Sequence, residues 1–191
     1  MDKEQQRNED LERIKKLRLF DDEFMNACFD KNIECTELVL RIILDEPDLK
    51  VQSVETQKLM KNLQGRDAWL DIHTILPENR EADVEIQRAS SGAKPKRARY
   101  HSSILDAHAL KPNEDFEKLP ETYVIFVTEQ DVLGENQPIY WIERRIGDTG
   151  KLFGDEEHIV YVNGAVQNGE TALGKLMHDF SCTNPDEMFY K

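Results

Sequence analysis

The sequence predicts an α/β fold in which helices flank a mixed central sheet. Apolar residues recur at helical spacing over residues 20–43 and alternate at strand spacing over residues 68–87. Residues 121–128 form a nearly continuous β-branched and aromatic run, which suits a strand that is buried on both faces of such a sheet. A chain of 191 residues is long enough to bury one core of this kind.

Helices are predicted first along the chain. Residues 1–18 alternate acids and bases with few large apolar side chains, which is typical of a solvated helix or a disordered leader. A helical repeat of apolar residues starts at Phe20, and a stronger one covers residues 35–43. A break near Asp30 separates these two helices, and Pro47 ends the second because proline disfavours helical geometry in the residue before it.

Three strands are predicted next, followed by a helix and then by the buried strand. Residues 51–63 fit neither period well and are interpreted as a strand, whereas residues 68–75 and 82–87 alternate clearly and predict a β-hairpin. Apolar spacing predicts a helix over residues 96–110, which would cross over to the buried strand. Two further strands are predicted at residues 138–144 and 158–163.

The chain ends in a tail that carries a short helical repeat with little to anchor it. The predicted division is therefore a charged N-terminal leader over residues 1–18, one domain over residues 19–170 and the tail over residues 171–191.

Composition and charge exclude several classes of protein. Nothing resembles a signal peptide or a membrane span, so a cytoplasmic protein without a membrane partner is expected. Cys28, Cys35 and Cys182 lack paired spacing, so reduced thiols are expected. No phosphate-binding glycine motif is present, so no nucleotide cofactor is expected. The net charge of −13 opposes nonspecific DNA binding, although carboxylate-bound divalent cations supply local positive charge.

Acidic residues gather on the predicted hairpin. Strand alternation places Asp83, Glu85 and Gln87 on one face of the second strand. The first strand is predicted to present four side chains on one face: Trp69, Asp71, His73 and Ile75. Neighbouring carboxylates repel each other unless a divalent cation binds between them, which makes a metal site one interpretation. The other is the solvated face of an amphipathic hairpin.

The order of four motifs resembles that of a known family. Recombination-promoting nucleases, which are PD-(D/E)XK nuclease family transposases, are similar to this chain from about Phe20 to its end. The resemblance rests on the sequence around Asp71, the run Val84-Glu-Ile-Gln-Arg88, the basic run from Lys96 and the apolar strand from Tyr123. It implies a restriction-endonuclease-like PD-(D/E)XK core of αβββαβ order. Family members commonly continue into helical sequence here, so the tail is expected to be truncated.

The resemblance also implies roles for particular residues. Asp71 matches the metal-binding aspartate, Glu85 matches the second ligand of Mg²⁺ or Mn²⁺, and the carbonyl of Ile86 is a further expected ligand. Gln87 is the third catalytic position and stands where the wider superfamily usually has lysine, so the ammonium that would stabilise developing charge is missing. Glu37 is a candidate accessory acid, and the alternative for it is a solvated helix face.

Five basic residues follow the proposed ligands and are candidates for binding DNA phosphates: Arg88, Lys94, Lys96, Arg97 and Arg99. The alternative is an ordinary exposed helix start. Trp69 is expected to pack rather than stack on a base, and His73 is expected at the surface.

Hairpin register decides whether the site can form. Asp71 and Glu85 are both odd-numbered, so a four-residue loop would set Asp71 opposite Ile86 and divide the carboxylates between faces. The metal site therefore requires an odd-length connection, for instance residues 77–79, or a β-bulge.

Two functions are carried forward from the sequence. The first is a metal-dependent DNA endonuclease associated with recombination or mobile elements. The second is a catalytically weak protein of the same fold that acts mainly through protein interaction, favoured by the net charge and the missing lysine. DNA is the expected partner, and a second copy of the chain is a further candidate partner.

Overall fold

The computed structural model describes residues 3–63 and 65–191 and has a six-stranded sheet between two layers of helices. Its helices are α1 Lys3–Ile14, α2 Asp22–Phe29, α3 Ile33–Ile43, α4 Pro95–Ala109 and α5 Ala172–Ser181. Its strands are β1 Ser53–Met60, β2 Ala68–Leu76, β3 Arg80–Gln87, β4 Glu121–Thr128, β5 Ile139–Ile142 and β6 Glu157–Asn163.

The sheet is mixed, as the sequence predicts. Its strand order is β1-β2-β3-β4-β6-β5, with β3, β4 and β6 parallel and the other neighbours antiparallel. A parallel pair needs a crossover connection, and α4 supplies it between β3 and β4. The predicted αβββαβ order is thus confirmed, including the strand β1, whose sequence fits no clear period.

Helices cover the two faces of the sheet with separate apolar layers. On one face α2, α3 and α5 bury side chains such as Met25, Leu40 and Met177 against the even-numbered residues of β3. On the other face α4 buries Ala98 and Leu105 against the central strands. The side chains of Asp83 and Glu85 on β3 point to this second face and contact residues of α4.

The hairpin register satisfies the requirement for an odd-length connection. Leu76 pairs with Arg80 and Ile72 with Val84, so only residues 77–79 form the loop. Asn79 has a φ of 57°, a left-handed conformation that asparagine tolerates better than most residues, and this helps the chain to reverse tightly. Continued in register, the pairing sets Asp71 opposite Glu85.

The tail is anchored more firmly than the sequence suggests, and the expectation of weak anchoring is wrong. Leu176, Met177 and Phe180 are buried in the core, and the Phe180 ring lies edge-on to Phe20 with centroids 5.6 Å apart. Asp179 accepts hydrogen bonds from two backbone amides further along the tail, at 2.9 and 2.8 Å. The helical repeat therefore buries its apolar side in the same core as α2 and α3. The division of the chain at residues 18 and 170 remains a prediction.

The N-terminal segment is a solvated helix, which is one of the two predicted alternatives. The side chains of α1 from Gln5 onward are exposed, while the first two residues of the predicted leader lie outside the described residues. None of the helices in the described part of the chain is long and apolar enough to cross a membrane. The three cysteines are free thiols.

Candidate metal centre and basic cleft

The strands β2 and β3 diverge at the two predicted ligands. Their pairing ends at Ile72 and Val84, and beyond that point side chains replace the backbone ladder. The backbone N–H of Asp71 donates to Glu85 Oε1 at 3.0 Å, and the N–H of Ile86 donates to Asp71 Oδ2 at 3.1 Å. The structure therefore brings the two carboxylates together inside a split between the strands.

Strand alternation breaks at the same place. Leu70 packs in the layer under α4, whereas Ile72 packs in the opposite layer, although both are even-numbered. On β1, Gln57 has a left-handed φ of 51°. It is left out of the pairing between β1 and β2 at the position opposite Asp71. The prediction that Trp69, Asp71, His73 and Ile75 share one face is therefore wrong, because the backbone turns at Asp71 to bond across the split.

Gln87 and Arg97 complete the first ring of contacts. Gln87 Nε2 lies 3.2 Å from Asp71 Oδ2 and 3.4 Å from Glu85 Oε2, so its amide can donate to both carboxylates. Arg97, on the first turns of α4, donates from Nη1 to Gln87 Oε1 at 3.2 Å and from Nη2 to Glu85 Oε2 at 2.5 Å. Positive charge thus reaches the site from α4 and not from position 87.

Asp83 and His101, which the sequence did not identify as site residues, also lie at the site. His101 Nδ1 lies 2.8 Å from Asp83 Oδ2 and 3.6 Å from Glu85 Oε1. Asp83, Glu85 and His101 are buried and offer ligand atoms that lie within 4.8 Å of one another. A sequence signal exists for each: Asp83 shares its strand face with Glu85, and His101 follows Arg97 by four residues, which places both on one side of a helix.

Burial and mutual repulsion disfavour negative charge on the carboxylates of the site. Burial, together with the nearby carboxylates of Asp83 and Asp71, raises the pKa of Glu85 to about 9. Burial likewise raises the pKa of Asp83 well above its ordinary value and that of Asp71 above its own. Burial lowers the pKa of His101, because the charged imidazolium loses its hydration. A bound cation would relieve this repulsion.

The donor set fits a hard divalent cation. Asp71 and Glu85 offer carboxylate oxygens within the split. The N–H of Ile86 points into the split, and its carbonyl faces the same way because both groups of a strand residue point to one edge. Among the described residues Asp83 Oδ1 is buried without a hydrogen-bond partner. Oxygen ligands of this kind suit Mg²⁺ and Mn²⁺.

Glu37 lies in a different set of contacts. Its carboxylate accepts from the backbone N–H of Val51 at 3.0 Å and pairs with Arg41 at 2.5 Å and Lys50 at 3.7 Å. These contacts tie α3 to the chain that enters β1. The side chain is only 14% exposed, so the alternative of a solvated helix face is wrong. Within the described residues, none of the contacts of Glu37 reaches Asp71 or Glu85.

A cleft of about 650 Å³ adjoins the candidate metal centre and shares Arg97 and His101 with it. Four cationic side chains line it, together with Trp69, and we refer to this surface as the basic cleft: Arg66, Lys94, Lys96 and Arg97. Three of the five predicted DNA-binding residues thus come together. Arg88 instead pairs with Asp21 at 2.8 Å, and Arg99 is exposed outside the lining of the cleft.

Two expectations for single residues are wrong. Trp69 is 56% exposed at the edge of the basic cleft and does not pack in the core, because Ala68 and Leu70 on either side of it supply the packing. His73 is only 3% exposed, and its ring bonds Glu81 on one side and Lys58 Nζ at 3.0 Å on the other. These polar partners make burial of the imidazole tolerable.

Comparison with known families gives one match. The family model for PD-(D/E)XK nuclease family transposases covers residues 24–165, which is more than half of the chain and includes the split between β2 and β3 and the start of α4. No curated protein and no solved structure matches the chain.

Proposed function

The chain belongs to the PD-(D/E)XK nuclease family transposases, and on that premise we propose that it is a divalent-metal-dependent DNA endonuclease that hydrolyses phosphodiester bonds. One observation carries the proposal. Asp71 and Glu85 meet in the split between β2 and β3, each bonding the backbone of the other strand. A regular hairpin would continue its backbone hydrogen bonds at this point. Here the carboxylates of Asp71 and Glu85 take the place of those bonds.

Asp71, Glu85 and the carbonyl of Ile86 would hold the cation, Mg²⁺ or Mn²⁺. A divalent cation in such a site lowers the pKa of bound water and neutralises charge on a phosphate. Gln87 holds both carboxylates through its amide and so keeps their oxygens turned into the split. Asp71, Glu85 and Gln87 are the catalytic residues of this proposal.

Arg97 supplies the positive charge that position 87 lacks. Its guanidinium is positioned by the Gly92 carbonyl at 3.0 Å and by Gln87 Oε1 at 3.2 Å. The Glu85 oxygen that it contacts is also an expected metal ligand, so a cation and Arg97 compete for it. A guanidinium released from Glu85 lies beside the centre, where it can bind the phosphate bidentately.

DNA would approach the centre along the basic cleft. Lys94 and Lys96 are exposed near Arg97, while Arg66 lines the cleft from the segment that enters β2. Four cationic side chains against one lining carboxylate, that of Asp67, make this surface locally positive, which answers the objection raised by a net charge of −13.

The biological setting follows from the family. Transposases act on DNA, so recombination or a mobile element is the proposed context, DNA the proposed partner and the cytoplasm the proposed location. A single centre hydrolyses one strand at a time. A homodimer would bring a second centre to the other strand and is therefore the proposed assembly for double-strand cleavage.

A protein that acts mainly through interaction is the second candidate. The ion pair between Arg97 and Glu85 favours it, because this pair compensates buried charge without any metal. Nicking of supercoiled plasmid separates the two functions. The endonuclease should nick in Mg²⁺ or Mn²⁺ and stop when a chelator is added. Plasmid that stays intact under every metal condition would reject the endonuclease and favour the protein that acts through interaction.

Mg²⁺ and Mn²⁺ are expected to raise the melting temperature of the protein. Folding holds like charges together at the centre, and a cation that binds only the folded state stabilises it. At a tenfold excess over Kd the expected rise is about 3–6 °C. Thermal unfolding with and without metal measures it.

The matched variants are Asp71→Asn and Asp148→Asn. Asp71→Asn removes a proposed ligand and should abolish most of the rise, whereas Asp148 is exposed on a segment far along the chain and its variant should respond like the unaltered protein. Equal melting shifts in both variants would count against a metal held by Asp71.

Reversing the charge of Lys94 and Lys96 together is expected to weaken DNA binding at all sequences. Each lysine that neutralises a phosphate contributes about one unit to the slope of log affinity against log salt, so this slope should fall by about two. Lys111→Glu with Lys118→Glu is the control, because it makes the same change in net charge beyond the other end of α4. Equal weakening by both pairs would show that only net charge matters.

A further inference from the structure

We infer that the basic cleft takes an unpaired nucleotide about two positions from the cleaved phosphate, with its base stacked on Trp69. The inference rests on the proposed function, because it specifies the class of DNA that this centre accepts: DNA with a single-stranded, frayed or flipped-out base at the site.

The first observation is the exposure of Trp69. Its side chain is 56% exposed, although tryptophan is among the residues that gain most from burial. Its neighbours Ala68 and Leu70 are buried and fix the backbone on both sides. Trp69 is therefore an aromatic platform on a rigid strand, which suits stacking because little conformational freedom remains to be lost.

The second observation is where this platform stands. Trp69 precedes Asp71 by two residues on β2, which corresponds to about 7 Å along a strand. Stacked nucleotides rise by about 3.4 Å each, so the base on Trp69 would be about two nucleotides from the phosphate at the metal centre. The platform is thus within reach of the same DNA strand.

The third observation is the surroundings of the indole. Arg66, Lys94 and Lys96 line the same cleft and would contact the phosphates on either side of the base. Tyr100 forms part of the wall, and its hydroxyl bonds the Asn62 side chain at 3.1 Å and the carbonyl of Arg66. An aromatic face among cations is the usual composition of surfaces that bind single-stranded nucleic acid.

Stacking on Trp69 requires an unpaired base. Inside a duplex both faces of each base are covered by its neighbours, so an indole reaches a face only at an end, a loop, a mismatch or a flipped nucleotide. A cleft of about 650 Å³ is in the size range of sites for single small ligands and can accommodate such a nucleotide.

Tryptophan fluorescence provides the test, because the chain has two tryptophans, Trp69 and Trp141. Trp141→Phe leaves Trp69 as the only indole. The probes are a short single-stranded oligothymidylate and a blunt duplex of the same length, titrated at low salt in Ca²⁺. The single strand is expected to quench the emission by half or more and the duplex far less. Equal quenching by both, or none by the single strand, would overturn the inference.

Affinity gives a second measurement with a matched control. Trp69→Leu should weaken binding of the single strand about tenfold, since stacking on an aromatic side chain contributes about 1–3 kcal/mol per base, and should leave duplex affinity nearly unchanged. Trp141→Leu removes an indole from β5 that is 44% exposed, against 56% for Trp69, and should change neither affinity. Single-strand affinity that is the same in all three proteins would also overturn the inference.

These results are independent of the proposed hydrolysis. Quenching of Trp69 without metal-dependent cleavage of any DNA would reject the endonuclease and retain the nucleotide site. Cleavage without quenching would reject the nucleotide site alone.

Discussion

Replacing Glu85 by glutamine is expected to lower the rate of metal-dependent DNA cleavage by at least about a hundredfold. Glutamine has the same shape, and its amide oxygen can still accept the N–H of Asp71 that bonds Glu85 Oε1. The substitution removes the negative charge that would hold the cation, while the split between β2 and β3 keeps its backbone contacts. Single-turnover nicking of plasmid in Mg²⁺ measures the effect.

Glu81→Gln is the matched control for this experiment. Glu81 lies four residues earlier on β3, is buried and bonds His73, but it is outside the proposed ligand set. Cleavage by the Glu81 variant should stay close to that of the unaltered protein. If both variants lose the same activity, the loss reflects a disturbed strand, and if the Glu85 variant keeps its activity, Glu85 is not a metal ligand.

Replacing Arg97 by alanine is expected to lower kcat by about 10²–10³-fold and at the same time to tighten metal binding. The loss follows because a preorganised cation near a reacting phosphate contributes as much as one donor of an oxyanion hole. The gain follows because Arg97 Nη2 lies 2.5 Å from Glu85 Oε2 and competes there with the metal. Cleavage rates as a function of Mg²⁺ concentration yield both quantities.

Slower cleavage together with tighter metal binding would distinguish this role of Arg97 from a purely structural one. A variant that merely unfolds the site would lose both together. Arg99→Ala is the control, because Arg99 is exposed on the same helix and lies outside the basic cleft. An Arg97→Ala variant with unchanged cleavage, or with weaker metal binding in step with slower cleavage, would contradict the role assigned to Arg97.

The elements could be predicted because local rules determine them, whereas the meeting of Asp71 with Glu85 was implied by the family resemblance and depended on a hairpin register that the sequence left open. Residues 121–128 could only form a buried strand, since β-branched and aromatic side chains dominate a run too short for a buried helix. For the hairpin, parity gave a condition: two odd-numbered residues face each other only across an odd-length loop or a bulge. The structure meets this condition with a loop of residues 77–79.

What the sequence could not reveal depends on contacts between distant elements. The backbone turn at Asp71 exists because Ile86 and Glu85 offer partners across the split, so strict alternation misplaced Trp69. Spacing places His101 beside Arg97 on α4 and Asp83 beside Glu85 on β3, but it does not encode the contact between His101 and Asp83, which forms because α4 packs over β3. The tail likewise is anchored because α2 and α3 lie where its apolar residues Leu176, Met177 and Phe180 can pack against them.

Crystals soaked in Mn²⁺ test the central claim most directly, because anomalous scattering locates the ion without reference to activity. A peak is expected in the split between β2 and β3, about 2.1–2.3 Å from oxygens of Asp71 and Glu85 and from the carbonyl of Ile86. Arg97 is also expected to move away from Glu85. An ion bound only between Asp83 and His101, or no ion in the split at saturating Mn²⁺, would contradict it.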